Sequence, residues 1–173
     1  MAELFVEILG KPHGFIVFQL LAACRFTIYL SLIAFVGGGA VACLVTLLRI
    51  SNVPSLQKFA TSFIWIFQSI PLLMLLFLIG LGMPRLLDVN VDPWTAATIS
   101  LVLFTAAYLA EVWRGAIESV ARGQWEASYA LNIRYSLLLR DIILPQAIKF
   151  GVAPTVGFMV QIIKGTSLAY IIG

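Results

Sequence analysis

The spacing of charges constrains this chain more than any other feature. Between Arg25 and Arg49 lie 23 uncharged residues, Phe26 to Leu48; between Lys58 and Arg85 lie 26, Phe59 to Pro84; between Asp92 and Glu111 lie 18, Pro93 to Ala110. A helix needs about 20 mostly apolar residues to cross a hydrocarbon core ~30 Å thick at ~1.5 Å per residue. All three runs meet that requirement. A fourth run, Phe150 to Ile163, has 14 residues and carries Gly151, Pro154 and Gly157. It spans when its flanks join in, Gln146 to Ile148 on one side and Gly165 to Ile172 on the other. The expected fold class is therefore all-α and integral to the membrane. A single domain over 1–173 has spans at about 26–48, 59–82, 93–110 and 147–168 and a polar segment at 111–145.

Composition closes the alternatives. Apolar residues make up 61% of the chain and charged residues 11%, against ~25% charged in an average soluble domain, so a water-facing surface has no material. Disorder is excluded because ample apolar surface is available to offset ordering entropy. A disulfide scaffold is excluded because Cys24 and Cys43 sit in or beside apolar runs.

Met1 to Leu9 carries Glu3 and Glu7 and no basic start, which does not fit a cleaved signal peptide. An interfacial segment broken at Pro12-His13-Gly14 is expected there. His13 has no Cys or His partner in sequence, so no metal role is read into it.

Orientation follows from lysine and arginine placement. Arg49, Lys58, Arg114, Arg122, Arg134, Arg140 and Lys149 fall on one side if the spans alternate. That puts the N-terminus outside and 111–145 in the cytoplasm. The net charge of +3 then needs no nucleic-acid partner.

Within the first span, Gly37-Gly38-Gly39-Ala40 reads as a close-packing face. A phosphate loop would need a preceding strand and a following Gly-Lys-Ser/Thr. In the second span, Gln68-Ser69-Ile70-Pro71 places a helix-interrupting proline beside polar groups at membrane depth. Two readings stay open: a kink sealed by packing, or a kink lining a solute path. The fourth span repeats the pattern with Pro154, Thr155, Gly157 and Gln161.

The polar segment is patterned. Gln124 to Leu131 are good helix formers, with Gly123 as the expected N-cap and Glu126 at the third helical position, where its charge suits the positive helix end. Trp125 and Tyr129 share a face. Asn132 suits the left-handed conformation that ends helices. Tyr135, Leu138, Leu139, Ile142 and Ile143 then form one apolar stripe at helical period, and Pro145 is expected to mark a break before the fourth span. The product is a helix-turn-helix anchored on membrane spans at both ends. It either transmits force from a partner or lies on the membrane surface without one.

Glu126-Ala127-Ser128, Asn132 and Ile142-Ile143-Leu144-Pro145 resemble, at matching spacing, the EAA motif of ATP-binding-cassette (ABC) importer permeases. Ser128 replaces an Ala of that motif and Asn132 a Gly. Ala107 to Gly115, Gly123 to Ala127, Ile143 to Ala147, Pro71-Leu72-Leu73 and Lys164 to Leu168 resemble further segments of the polar amino-acid permeases. Gln68-Ser69-Ile70 stands where Arg-Gly-Thr is usual, and Gly165 where Asp is usual. Together these cover roughly Pro54 to Gly173.

The resemblance implies the type I ABC importer permease fold, a MetI-like helical core, in a bacterial inner membrane. It implies that Gly123, Glu126, Ala127, Ser128, Asn132, Ile142, Leu144 and Pro145 form a loop that couples to an ABC ATPase dimer. ATP and magnesium would belong to that partner and no cofactor to this chain. The other implied partners are a second permease copy or paralogue, an extracytoplasmic solute-binding protein and a polar amino acid. The family continues past the Thr-Ser-Leu segment with one more helix, so four spans with the last one missing are expected here.

No lysine is followed by Ser or Thr, so no ATP-binding motif is present, and the chain is expected to do no bond chemistry. The polar residues nearest membrane depth are Gln68, Ser69, Thr105, Tyr108 and Thr155, beside Pro71. Glu111 and Lys164 are the ionisable groups closest to the spans, with Ser167 near the second. These are the candidates for a substrate path, and one acidic and one cationic group could hold a zwitterion. The competing classes are a self-contained carrier or channel, for which no internal repeat is evident, and a structural membrane subunit without its own path.

Overall fold

The computed structural model describes residues 13–172. Helix α1 is His13–Arg49, α2 is Pro54–Ser69, and α3 is Leu72–Leu87 with a π-turn at Leu78–Gly82. Helix α4 is Pro93–Glu118, α5 is Arg122–Ala130, and α6 is Tyr135–Ile172 with a π-turn at Leu138–Ile143 and a 3-10 end at Thr166–Ile172. Helices α1, α4 and α6 are each long and apolar enough to cross a membrane, and α2 with α3 forms a fourth, bent unit.

The first span is longer than its uncharged run. Helix α1 has 37 residues, about 55 Å at ~1.5 Å each, and it is already formed at His13, with Gly14 buried within it. The expected break at Pro12-His13-Gly14 is therefore absent from His13 onward, and the expected interfacial segment before it lies outside the described residues. Charge counting stopped at Arg25, yet one long arginine need not end a helix, because its head can reach polar surroundings along an apolar stem. Here the guanidinium lies 4.8 Å from the centroid of the Phe26 ring.

The second span is broken rather than kinked. Helix α2 starts on Pro54, where a missing N–H costs nothing, and ends at Ser69; Ile70 (φ −93°, ψ 119°) and Pro71 (φ −56°, ψ 141°) are extended, and α3 leaves at 98°. A residue before proline is sterically disfavoured in the helical region, and Pro71 can donate no bond to carry the helix across.

The prolines of α3 and α6 behave differently. Each π-turn ends two residues before a proline, Gly82 before Pro84 and Ile143 before Pro145. Widening the preceding turn relieves the clash between a proline ring and the carbonyl four residues back. Met83 N–H accordingly bonds Leu78 O, and Leu144 N–H bonds Leu139 O. Pro145 therefore does not break the chain: the second helix of the elbow and the fourth span are one continuous element. Pro154 also sits inside it.

Helix α4 is central, packing against α1, α2, α3 and α6. It runs parallel to α1: Phe26 meets Trp94 with ring centroids 6.3 Å apart, Gly38 lies against Thr105, and Thr46 Oγ1 donates to Ala110 O at 3.3 Å. Of the glycine run, Gly37 and Gly38 form the close contact, facing Val102 and Thr105. The core beneath is Leu30, Ala34, Ile64, Leu75, Leu101 and Leu109, with Phe158 and Ile162 from α6. Outward faces remain apolar, including Leu20, Phe59 and Val156, as a lipid-facing surface requires. Helix α4 runs to Glu118 and α6 begins at Tyr135, so the polar segment expected at 111–145 is non-spanning only between them.

Candidate functional site

The elbow between α4 and α6 is held from inside and open outside. Ile117, Val120, Leu138, Ile143 and Ala147 form a buried cluster flanked by Trp125, Tyr135, Leu139 and Ile142, so the expected apolar stripe is the face that docks. Tyr135 Oη donates to Ile50 O at 2.8 Å, tying the elbow to the end of α1. Gln146 Nε2 reaches Gln124 Oε1 at 3.4 Å, linking α6 to α5.

Helix α5 touches this platform through Ser128, 2% exposed, and the half-buried Trp125. Glu126, Ala127, Tyr129 and Leu131 are exposed, so Trp125 and Tyr129 share a face but not a burial state. The helix starts at Arg122 after the extended Ala121. Gly123 is thus its second residue and not the N-cap, and Glu126 lies beyond the first turn. Asn132 has φ 53°. Ile133 N–H bonds Ser128 O and Asn132 N–H bonds Tyr129 O, both at 3.0 Å, the paired bonds of a helix terminated by a left-handed residue. Leu144 is half-buried and Pro145 exposed.

A second feature is a polar pocket of about 200 Å³ where α1, α2 and α4 converge, lined by Arg49, Thr61, Ile64, Trp65, Gln68, Glu111 and Arg114. Both Glu111 oxygens accept from Arg114, Nε to Oε2 at 2.9 Å and Nη2 to Oε1 at 2.5 Å, and Glu118 pairs with the same guanidinium. Gln68 Nε2 donates to Ala107 O at 3.3 Å across the α2–α4 contact. Two sequence candidates, Gln68 and Glu111, thus meet here.

The other candidates lie elsewhere. Ser69 is exposed and its hydroxyl bonds Trp65 O, and Pro71 sits in the α2–α3 break. Thr105 is fully buried against Gly38. Tyr108 stacks on Phe158 at 5.3 Å. Thr155 accepts from Trp113 Nε1 at 3.1 Å and borders an apolar groove of about 510 Å³ between α1, α4 and α6. Lys164 and Ser167 are exposed on α6, outside the pocket lining. The acid–cation pairing of Glu111 with Lys164 is therefore not assembled; the cations beside Glu111 are Arg114 and Arg49. Sequence reasoning missed Arg49, which it counted as a loop charge. It also missed Arg114, which lay within the Ala107 to Gly115 segment without a role.

A bent helix pair, long apolar helices around α4 and a docked elbow define an all-α membrane fold, that of the type I ABC permeases. Residues 34–173 match the family described as binding-protein-dependent transport system inner membrane component, and the chain belongs to that family. It is 35% identical over 147 residues to the probable amino-acid ABC transporter permease protein YckA of Bacillus subtilis, covering 85% of this chain and 65% of the relative. It is 35% identical over 144 residues to the L-cystine transport system permease protein TcyB of the same organism, covering 83% and 61%. The chain thus spans a little under two thirds of the length of these relatives. Among solved structures, an amino acid ABC transporter crystallised with histidines matches with a TM-score of 0.84 and 26% identity over 92% of this chain and 75% of that one. The inward-facing MetNI methionine ABC transporter matches in fold, with a TM-score of 0.68 and 20% identity over 94% and 77%.

Proposed function

We propose that this chain is a membrane-spanning subunit of an ATP-driven importer for polar amino acids. In this reading α5 is the helix that couples it to a separate ABC ATPase dimer. A second permease copy or paralogue completes the path, and an extracytoplasmic binding protein delivers the solute. The chain sits in a bacterial inner membrane with its N-terminus outside and the elbow in the cytoplasm, as the basic residues favour. The substrate path includes the polar pocket of Gln68 and Glu111.

The observation that carries this reading is the division of α5. Trp125 and Ser128 hold it to the α4–α6 platform, while Glu126, Ala127, Tyr129 and Leu131 are presented outward. Because α6 is continuous from Tyr135, a push on α5 reaches the membrane through one unbroken element and the cluster around Leu138 and Ile143. A partner that favours one position of the elbow thereby biases the bundle between two arrangements. The test is Ala127→Lys in the complex assembled with its ATPase and binding protein. ATP-driven uptake falls at least about tenfold while the chain still inserts, since a charge desolvated in a docking surface costs several kcal/mol. Unchanged uptake, or failure of the wild-type chain to bring down an ATPase, overturns the reading.

A further inference from the structure

The charges around the polar pocket are unequally committed. Glu111 spends both oxygens on Arg114, and Arg114 is engaged twice over, by Glu111 and by Glu118. Among the described residues Arg49 forms no ion pair. It is half-buried at the end of α1 and lines the same pocket. Gln68 has given its amide N–H to Ala107 O, which leaves its Oε1 as an acceptor. The exposed Trp65 and the buried Ile64 supply an apolar wall.

Among the described residues, a solute entering this pocket therefore meets one cation without an ion-pair partner, two neutral acceptors in Gln68 Oε1 and Thr61 Oγ1, and no free carboxylate. We propose that Arg49 reads the carboxylate of the transported amino acid, so that the pocket takes neutral or acidic amino acids in preference to cationic ones. This rests on the importer reading above and assigns a substrate class to its pocket. An arginine presents a planar, permanently charged fork matched to a carboxylate. The solute's ammonium faces Gln68 Oε1. A cationic side chain would have to take Glu111 from Arg114, leaving that guanidinium short of a partner, and would bring a third positive charge beside Arg49 and Arg114.

The test is equilibrium binding of radiolabelled glutamine, glutamate, arginine and glutaminamide to the full chain in lipid nanodiscs. Glutaminamide keeps the side chain and loses the carboxylate. Wild type is expected to bind glutamine and glutamate more tightly than arginine, and about tenfold or more tighter than glutaminamide. In Arg49→Gln the affinity for glutamine falls to that for glutaminamide, which itself hardly changes; Arg49→Lys recovers part of the loss. Equal binding of glutamine and glutaminamide by wild type overturns the proposal without any variant having to fold. So does tightest binding of arginine, or an Arg49→Gln chain that binds as wild type. Absence of binding by every probe also overturns it, while capture of an ATPase by the same nanodiscs leaves the importer reading standing.

Discussion

Gly38 of α1 lies against Thr105 of α4 with no room for a side chain between them. A Cβ built at Gly38 would stand 2.5 Å from both Cβ and Cγ2 of Thr105, whereas one at Gly39 would meet only Trp113 at 3.8 Å. Two parallel helices are set at this distance by one missing methyl group. In lipid, where apolar burial does not drive helices together, such close approach is a main source of association.

Opposite signs are expected from neighbouring substitutions. Gly38→Ala forces α1 from α4 and costs about 1–3 kcal/mol. Gly39→Ala makes an ordinary contact and gains about 0.5–1 kcal/mol from lost backbone freedom. Thermal unfolding of the detergent-solubilised chain measures both, and equal behaviour of the two variants refutes the Gly38 contact.

The turn of the elbow depends on one left-handed residue. Asn132→Gly should leave stability within a few tenths of a kcal/mol, since Gly adopts positive φ freely. Asn132→Val should cost roughly 1–2 kcal/mol, because a β-branched side chain crowds that conformation and lacks the short polar group with which Asn tolerates it. Limited proteolysis between α5 and α6 reports the difference; equal cleavage rates for the two variants would show that the turn does not need φ 53°.

Tyr135 fastens the elbow to α1 through its hydrogen bond to Ile50 O. Tyr135→Phe keeps the packing and removes the bond, costing about 1 kcal/mol. Hydrogen exchange of the α5 amides should quicken in that variant, and unaltered protection would mean the bond contributes nothing to holding the elbow.

Asp92 caps α4, its carboxylate accepting from Thr95 Oγ1 at 2.7 Å and from Thr95 N–H at 2.9 Å. These bonds hold its pKa below the ordinary carboxylate value. A group whose pKa is lower folded than unfolded adds stability that is complete above its unfolded value, about 3.9, and is lost as pH falls through the folded value. Protection of the Thr95 amide, its exchange measured against the unfolded-chain rate at the same pH, should therefore fall on acidification through and below that range. In Asp92→Asn, which caps without titrating, it should stay flat; matching acid profiles would remove the carboxylate from the account.

Much of this arrangement was legible along the chain because it is local. Uncharged runs located three helices long and apolar enough to cross a membrane and the bent pair of α2 and α3, and the 3.6-residue stripe from Tyr135 to Ile143 located the face that docks. Asn132 was legible because few residues tolerate positive φ. The failures share a cause. Charge spacing ended the first span at Arg25, but a side chain that reaches outward does not end a helix. In sequence Pro145 signals a break, yet a π-turn absorbs it, and Pro71 signals a kink, yet no such turn precedes it and the chain leaves at 98°. Gly123 has the look of a cap because nothing in sequence marks Ala121 as the extended residue.

By itself the sequence determined that this protein lives in a bilayer and carries a helical elbow between two spans, since hydrophobic length and periodicity need no knowledge of what packs on what. Only the tertiary structure decided which polar groups meet. Arg49, Gln68 and Glu111 come from three helices, and their convergence depends on how α1, α2 and α4 cross. That crossing is set in part by the vacancy at Gly38. The same crossing leaves Glu111 committed to Arg114 and, among the described residues, Arg49 without an ion pair, a difference of electrostatics that no spacing of residues along the chain contains.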